Sequence, residues 1–500
     1  MTFNKRTNGI LLHITSLPSK YGIGTLGEES FKFVDFLKRS EVKIWQLLPL
    51  SVTSYGDSPY QSFSTNGLNY YFIDLDELVK QGLLTQKEID DADLEDENKR
   101  KVNYAKQYYN RLPLLKKAFS RFNKNDHKFK KFVDEKEYSD FAFYMTLKNI
   151  NAGKCWLEFD EKYKTYTPEI ENEVISSYHD EYLFYIWTQF EFLNEFKRLK
   201  DYANKNGIQI MGDMPIYVAL DSVDCYKHPE LFAFDEDNRP TLVAGCPPDA
   251  FATTGQLWGN PIYNYEYMKK DNFKWFHDRI KYNVKIFDIL RIDHFRGFAS
   301  YYTIKYGAPN AVDGKWVEGP GFDLFKGYTN LPIVAEDLGF LTDDVVKLLK
   351  ETEFPGMKIL EFAYDGDSSN DHKASNSNVN YISYTGTHDN MPLYGYLKTL
   401  SGTSLDNFIE GVRNDCSLLN VDFNDTTLKD LTLTTCKLAY ASNQICAILP
   451  LQDLLTMDNS ARMNEPSTLS DKNWSFRFLK SDFTDDVSNF VKENVRRYNR

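Results

Sequence analysis

The residue types needed for acid, base and nucleophilic chemistry gather in a few short stretches. Asp288-Ile289-Leu290-Arg291-Ile292-Asp293-His294-Phe295-Arg296-Gly297 alternates apolar and charged residues and ends on a carboxylate flanked by cations. In a strand, the period of two puts Arg291 and Asp293 on one face, about 7 Å apart along the chain. A guanidinium that close keeps a carboxylate ionised by Coulomb attraction and charge-assisted hydrogen bonding. Such a carboxylate can serve as a nucleophile, or the two residues can form a structural ion pair at a strand end, since those pairs also perturb pKa values. Acids recur after apolar runs at Asp213 in Ile208 to Pro215, at Glu336 and Asp337 in Leu331 to Gly339, and at Asp389 beside His388 in Tyr384 to Asn390.

The elements that must position these groups follow from periodicity. Strands are expected at Gly9 to Pro18, Ile44 to Leu48, Ile208 to Pro215, Phe287 to Ile292, Leu331 to Glu336, Met357 to Phe362, Val379 to Tyr384 and Gln444 to Leu449. The stretches between them are mostly helix-compatible, as in 28–40, where Phe31, Val34, Phe36 and Leu37 lie on or near one face. Eight strands separated by helices predict an α/β protein, a (β/α)8 TIM barrel with helical and loop insertions. A doubly wound sheet is the alternative, but it does not so naturally place acids at many strand ends. The expected organisation is one catalytic barrel over 1–500. A helical insertion at 75–206 falls between strands 2 and 3, and an insertion at 215–285 with a substrate-covering loop falls between strands 3 and 4. The glycines of Tyr21-Gly22-Ile23-Gly24-Thr25-Leu26-Gly27 are spaced GxGxxG, yet Pro18 to Tyr21 separate them from the strand and no suitably placed acid follows, so a dinucleotide site is rejected.

Composition narrows the classes further. The 500 residues, 42% hydrophobic and 15% aromatic, describe a globular chain long enough for a large core. A net charge of -13 argues against nucleic acid or an anionic membrane as partner. The six cysteines show no CxxC or Cys/His ligand spacing, so reduced thiols in a cytoplasmic protein are expected, with no metal and no cofactor. No apolar run reaches the roughly 18 residues that a membrane span needs. Thirty-three Tyr and 36 Phe offer flat apolar faces of the kind that bind sugars, although AT-rich coding favours the same residues.

In a barrel, chemistry collects where strands meet their following loops at the C-terminal face. Asp293, Glu336 and Asp389 at one mouth would repel each other, a cost that implies a use. Paired carboxylates suit glycosidic bond chemistry, in which one attacks the anomeric carbon while the other protonates the leaving oxygen. Metal binding is the rival use, against which stand the interleaved Arg291 and the lack of a His/Asp ligand spacing.

Arg291 to Gly297, Ala335-Glu336-Asp337-Leu338-Gly339 and Gly386-Thr387-His388-Asp389-Asn390 resemble the three catalytic blocks of the amylomaltase family, the 4-α-glucanotransferases or disproportionating enzymes of the α-amylase clan. Further matching blocks are Gly9 to Gly27, Gly56 to Ser64, Gly212 to Val218, Val243 to Tyr263, Leu451 to Leu455 and Met463-Asn464. The resemblance implies a retaining transfer of α-1,4-glucan segments between maltooligosaccharides and glucose. Asp293 would be the nucleophile, Glu336 the general acid/base, and Asp389 the residue holding the hydroxyls of the distorted sugar. Arg291 would orient Asp293, and His388, Asp213 and Tyr60 would contact the same sugar. Ser58, Gln256, Trp258, Asp337 and Asn464 stand at positions resembling glucan contacts. Ala244 to Asn260 looks like the family's lid, on which Phe251 and Trp258 would stack on sugar; alternatively, Trp258 anchors the loop in the core. Glu336 must start protonated, and a pKa raised by the Asp293 charge is expected.

Three departures from the family pattern concern the acceptor side: Ala250 where Tyr is common, Leu68-Asn69-Tyr70 for a Gly-Asn-Pro, and Met391-Pro392-Leu393 where acidic and hydroxyl residues are common. The rival functions are a hydrolase with the same acids and a catalytically dead glucan-binding protein. The intact acid set speaks against the latter. The sequence does not give the oligomeric state.

Overall fold

A computed structural model describes residues 3–248, 253–339 and 341–500. Its strands are β1 (Thr7–Leu11), β2 (Ile44–Gln46), β3 (Gln209–Met214), β4 (Leu242–Cys246), β5 (Gln256–Pro261), β6 (Ile289–Ile292), β7 (Ser300–Lys305), β8 (Lys315–Glu318), β9 (Ile333–Ala335), β10 (Gly356–Ile359), β11 (Tyr381–Tyr384) and β12 (Cys446–Pro450). Eight of them form one parallel sheet in the order β10-β11-β12-β1-β2-β3-β6-β9. These are the eight strands expected from the sequence, mostly shorter and with ends shifted, as in β1, which starts two residues earlier at Thr7, and with the surrounding helices they make a (β/α)8 barrel.

The period of two explains how the barrel fills. Leu11, Ile44, Met211, Ile289, Val334, Met357, Ile359, Ile382, Tyr384, Cys446 and Ile448 pack into one interior cluster. Their chain neighbours Ile10, Trp45, Ile210, Leu290, Ile333, Ala447 and Leu449 belong to the larger core formed with the helices. Gly9 is a close-approach position: a Cβ there would lie 2.9 Å from both the Ile44 carbonyl oxygen and Ile448 Cγ1. The glycine-rich loop after β1 serves packing in the same way, since a Cβ on Gly24 would overlap the Ile14 carbonyl oxygen at 1.7 Å.

The two end strands of the sheet, β9 and β10, meet across a seam. A backbone bond crosses it, from the Ala335 amide to the Pro355 carbonyl (2.8 Å). Two β10 amides find side chains instead of a strand: Met357 N–H donates to Asp337 Oδ1 (2.7 Å) and Ile359 N–H to His372 Nδ1 (3.0 Å). Buried amides demand acceptors, and these side chains supply them where the short β9 cannot.

Between β2 and β3 the described elements are helices, apart from isolated bridges. The longest is His179–Lys205. Gln189 on this helix grips both the amide and the carbonyl of Leu68 (2.7 and 3.0 Å), and Lys148 on helix Ser139–Ile150 pairs with Asp221 (2.5 Å) beneath the Phe63 ring. The helical layer thus holds the C-terminal part of the mouth loop that carries Tyr60. The stretch expected to be a lid begins and ends as strands: β4 and β5 pair antiparallel, and β7 and β8 extend them to a sheet ordered β5-β4-β7-β8. That second sheet was not expected from the sequence. β4 was hidden in a Gly- and Pro-containing run.

Candidate active site

Asp213 and Arg291 sit opposite each other in the register of β3 and β6. Arg291 Nη1 meets Asp213 Oδ2 at 2.5 Å while Nη2 meets Asp293 Oδ1 at 3.0 Å, so one guanidinium holds two carboxylates. Tyr60 donates its hydroxyl to the same Asp213 oxygen (2.7 Å). Burial lowers the Arg291 pKa, but the Asp213 and Asp293 charges outweigh it and hold the guanidinium firmly protonated.

Asp293 and Glu336 are held differently. Glu336 follows β9, and both its oxygens accept backbone amides: Oε2 from His294 (2.7 Å) and Oε1 from Leu338 (2.7 Å). His294 reaches this position in the left-handed region, at φ 46°, which is rare for a residue with a side chain and turns its amide toward the acid. Burial raises the pKa of Glu336, Arg291 and the two amides pull it down, and the Asp389 charge raises it again. Burial likewise lifts Asp293 against the pull of Arg291, and the charges of Asp213 and Glu336 add to the lift. The expected cause, the Asp293 charge acting on Glu336, is not the leading one: burial comes first, and the charge that adds to it is that of Asp389. The pair favours holding one proton, because burial and mutual repulsion both oppose a doubly ionised state.

Opposite them, His388 stacks on Tyr60 with ring centroids 5.1 Å apart and 12° between planes. Burial lowers the His388 pKa, keeping the imidazole neutral. Its Nε2 lies 3.4 Å from Asp389 Oδ1, which also accepts from Asn464 Nδ2 (2.7 Å). Ser58 Oγ accepts the Tyr60 amide (3.3 Å). On β5, Trp258 donates through Nε1 to Gln256 Oε1 (3.0 Å) and stands edge-to-face against His294, with centroids 4.8 Å apart and planes at 89°. Trp258 is also partly buried against the main core, so anchoring the loop and facing the mouth are compatible.

These contacts link Ser58, Tyr60, Asp213, Arg291, Asp293, His388, Asp389 and Asn464 in one chain, with Glu336, Gln256 and Trp258 joined to it around His294. Asp337 is the exception. It is 2% exposed, Oδ1 is taken by the Met357 amide and Oδ2 is buried, which places it at the β9–β10 seam apart from the linked residues. Burial pushes its carboxyl up to about 7. Phe251 and Ala250 lie outside the described residues.

Sequence reasoning missed several members. Trp474 packs on both Tyr60 and His388 (5.6 and 5.7 Å), and Arg462 donates to the Asp389 carbonyl (2.7 Å). No periodicity marks either. Glu361, an acid at a strand end like the others, carried a signal that went unused. Among the described residues, no group of three or more His, Cys, Asp or Glu side chains is arranged to hold a metal ion.

The sequence model of the 4-alpha-glucanotransferase family matches residues 12–482. The chain is 42% identical over 501 residues to a 4-alpha-glucanotransferase of Clostridium butyricum, covering 98% of this chain and 100% of that one. It is 39% identical to one from Aquifex aeolicus, over 99% of each chain. Among solved structures, the amylomaltase from Streptococcus agalactiae in complex with acarbose superimposes with a TM-score of 0.92 at 38% identity, covering 99% of this chain and all of that one. The amylomaltase from Corynebacterium glutamicum, at 16% identity and a TM-score of 0.78, shares the fold.

Proposed function

Since the chain belongs to the 4-alpha-glucanotransferase family and carries that activity on α-glucans, we propose that it moves α-1,4-glucan segments between maltooligosaccharides and glucose by double displacement through a covalent intermediate on Asp293. The observation that carries this reading is the unequal holding of the two acids. Asp293 rests on the doubly engaged Arg291, whereas among the described residues Glu336 has no cation in hydrogen-bond contact, and its burial favours the protonated form over the pull of two backbone amides.

In the first half-reaction, an Asp293 oxygen bonds to the anomeric carbon as the glycosidic C–O bond breaks, and the departing 4-oxygen takes the Glu336 proton. In the second, the Glu336 carboxylate accepts the proton of an acceptor 4-hydroxyl, whose oxygen bonds to the anomeric carbon and releases Asp293. The anomeric configuration is inverted twice and therefore retained. Asp389, with His388, Asp213 and Tyr60, would bind the sugar undergoing substitution, and Ser58, Gln256, Trp258, Phe251 and Asn464 would bind the glucan around it. Transfer must outrun hydrolysis, which calls for a bound acceptor and excluded water. The β4–β5 arm bearing Gln256 and Trp258 is suited to that task.

A cytoplasmic location belongs to the same proposal, and among the described residues no helix is long and apolar enough to cross a membrane. Incubation with maltotriose tests the reaction. Longer oligosaccharides plus glucose, at constant total reducing ends, are expected; rising reducing ends without longer products would establish a hydrolase instead.

A further inference from the structure

Glu361 is a buried carboxyl at the barrel mouth for which the transfer chemistry has no use. It lies in the turn Leu360–Phe362 that follows β10, is 7% exposed, and donates its amide to the Thr385 carbonyl (3.1 Å). Its Oε1 accepts from Asn390 Nδ2 (3.0 Å), and its Oε2 is buried with no hydrogen-bond partner among the described residues. Asn390 Oδ1 in turn accepts both the amide and the hydroxyl of Thr387 (2.9 Å each), and the Thr387 hydroxyl oxygen accepts the amide of Asp389 (3.2 Å). The carboxyl of one barrel segment is thereby wired, in three steps, to the backbone of the acid on the next.

We propose that Glu361 is a positioning residue that sets, through Asn390 and Thr387, where Asp389 stands at the cleavage subsite. This rests on the reading of Asp389 as a sugar contact. The wiring matters because residues 385–392 have no regular structure before the helix Leu393–Leu397, so side chains must fix the loop. Asp453 clamps its two ends, accepting the Thr385 hydroxyl (2.6 Å) and the Leu393 amide (2.7 Å); Glu361 clamps its middle. The groups acting on Glu361 are Asn390, Asp453 and Arg462. Burial dominates and lifts the carboxyl to about 8; Asn390 and Arg462 pull it down and the Asp453 charge pushes it up. A neutral carboxyl also fits the partnerless Oε2, since an ion there would leave a buried charge poorly solvated. The residue therefore works as a shaped neutral hydrogen-bonding group, which glutamine can imitate and alanine cannot.

The test measures kcat and KM on maltotriose at pH 7, together with thermal midpoints, for Glu361→Ala, Glu361→Gln and Asp389→Asn. Misplacing a sugar-holding group by a fraction of its length costs on the order of 10- to 100-fold in rate. Glu361→Ala is expected to lose that much in kcat, with a smaller change in KM, and Glu361→Gln to recover to within about threefold of the parent, as an isosteric neutral group should. Full kcat in Glu361→Ala, or Glu361→Gln falling as far as Glu361→Ala, would overturn the proposal while leaving the reading of the site intact. A fully active Asp389→Asn would overturn the role given to Asp389, and the proposal with it.

Discussion

Arg291 and Asp213 are register partners on neighbouring barrel strands, and their side chains meet at 2.5 Å with almost no exposure to solvent. Because the same guanidinium also holds Asp293, it ties a residue proposed to touch sugar to the proposed nucleophile. A lysine in its place has one charge centre and cannot present two nitrogens to two carboxylates. Arg291→Lys is expected to lose at least about 100-fold in kcat, with a folded far-UV spectrum. Retention of most activity would show that the double contact is dispensable.

Asp337 separates two roles that the sequence could not. If it closes the β9–β10 seam, Asp337→Ala leaves the Met357 amide without its acceptor and lowers stability by about 1–3 kcal/mol, and KM for maltotriose stays near the parent value. Chemical denaturation and steady-state kinetics on the same preparation decide between the roles. A KM increase with unchanged stability would return Asp337 to the glucan site.

His372, the other seam residue, carries a pH dependence of known sign. Its Nδ1 accepts the Ile359 amide, so the ring is neutral there. Burial, with help from the Lys358 charge, holds it down to about 4, from an ordinary value of 6.5. Between those values the unfolded chain binds a proton that the folded chain refuses. The contribution of His372 is therefore present above about 6.5 and is lost as pH falls toward 4. His372→Asn keeps an acceptor near the same place without titrating. Its thermal midpoint is predicted to drop less than the parent's between pH 7 and pH 5, and parallel declines would refute this assignment.

Trp258 stands between Gln256 and His294, whose amide grips Glu336. Removing the indole opens the acceptor side to water and weakens acceptor stacking. Trp258→Ala is predicted to raise the ratio of new reducing ends to transfer products several-fold. An unchanged ratio would leave the indole as only an anchor for the arm.

The barrel was legible because each of its eight strands is an apolar run ended by a turn or by an acid, and those acids led directly to Asp213, Asp293, Glu336 and Asp389. The Arg291–Asp293 contact was legible from the period of two; the Arg291–Asp213 contact depended on the register between two strands, which no local pattern encodes. The second sheet escaped because β4 carries Gly245 and runs directly into Pro247-Pro248, which masks a strand pattern. Asp337 looked like a mouth residue from its place after β9, and only the seam shows why it turns inward. Trp474 and Arg462 come from a stretch whose backbone is largely irregular, and they reach the site only through tertiary packing on Tyr60, His388 and Asp389.

The central claim is a glucosyl group carried on Asp293. Glu336→Gln, supplied with an α-glucosyl fluoride whose leaving group needs no acid, should form that adduct and release it slowly. Digestion and mass spectrometry of the quenched protein are predicted to show one added glucosyl mass on the peptide containing Asp293, absent from Asp293→Asn. Fluoride release without any adduct, or an adduct on another carboxylate, would contradict the account.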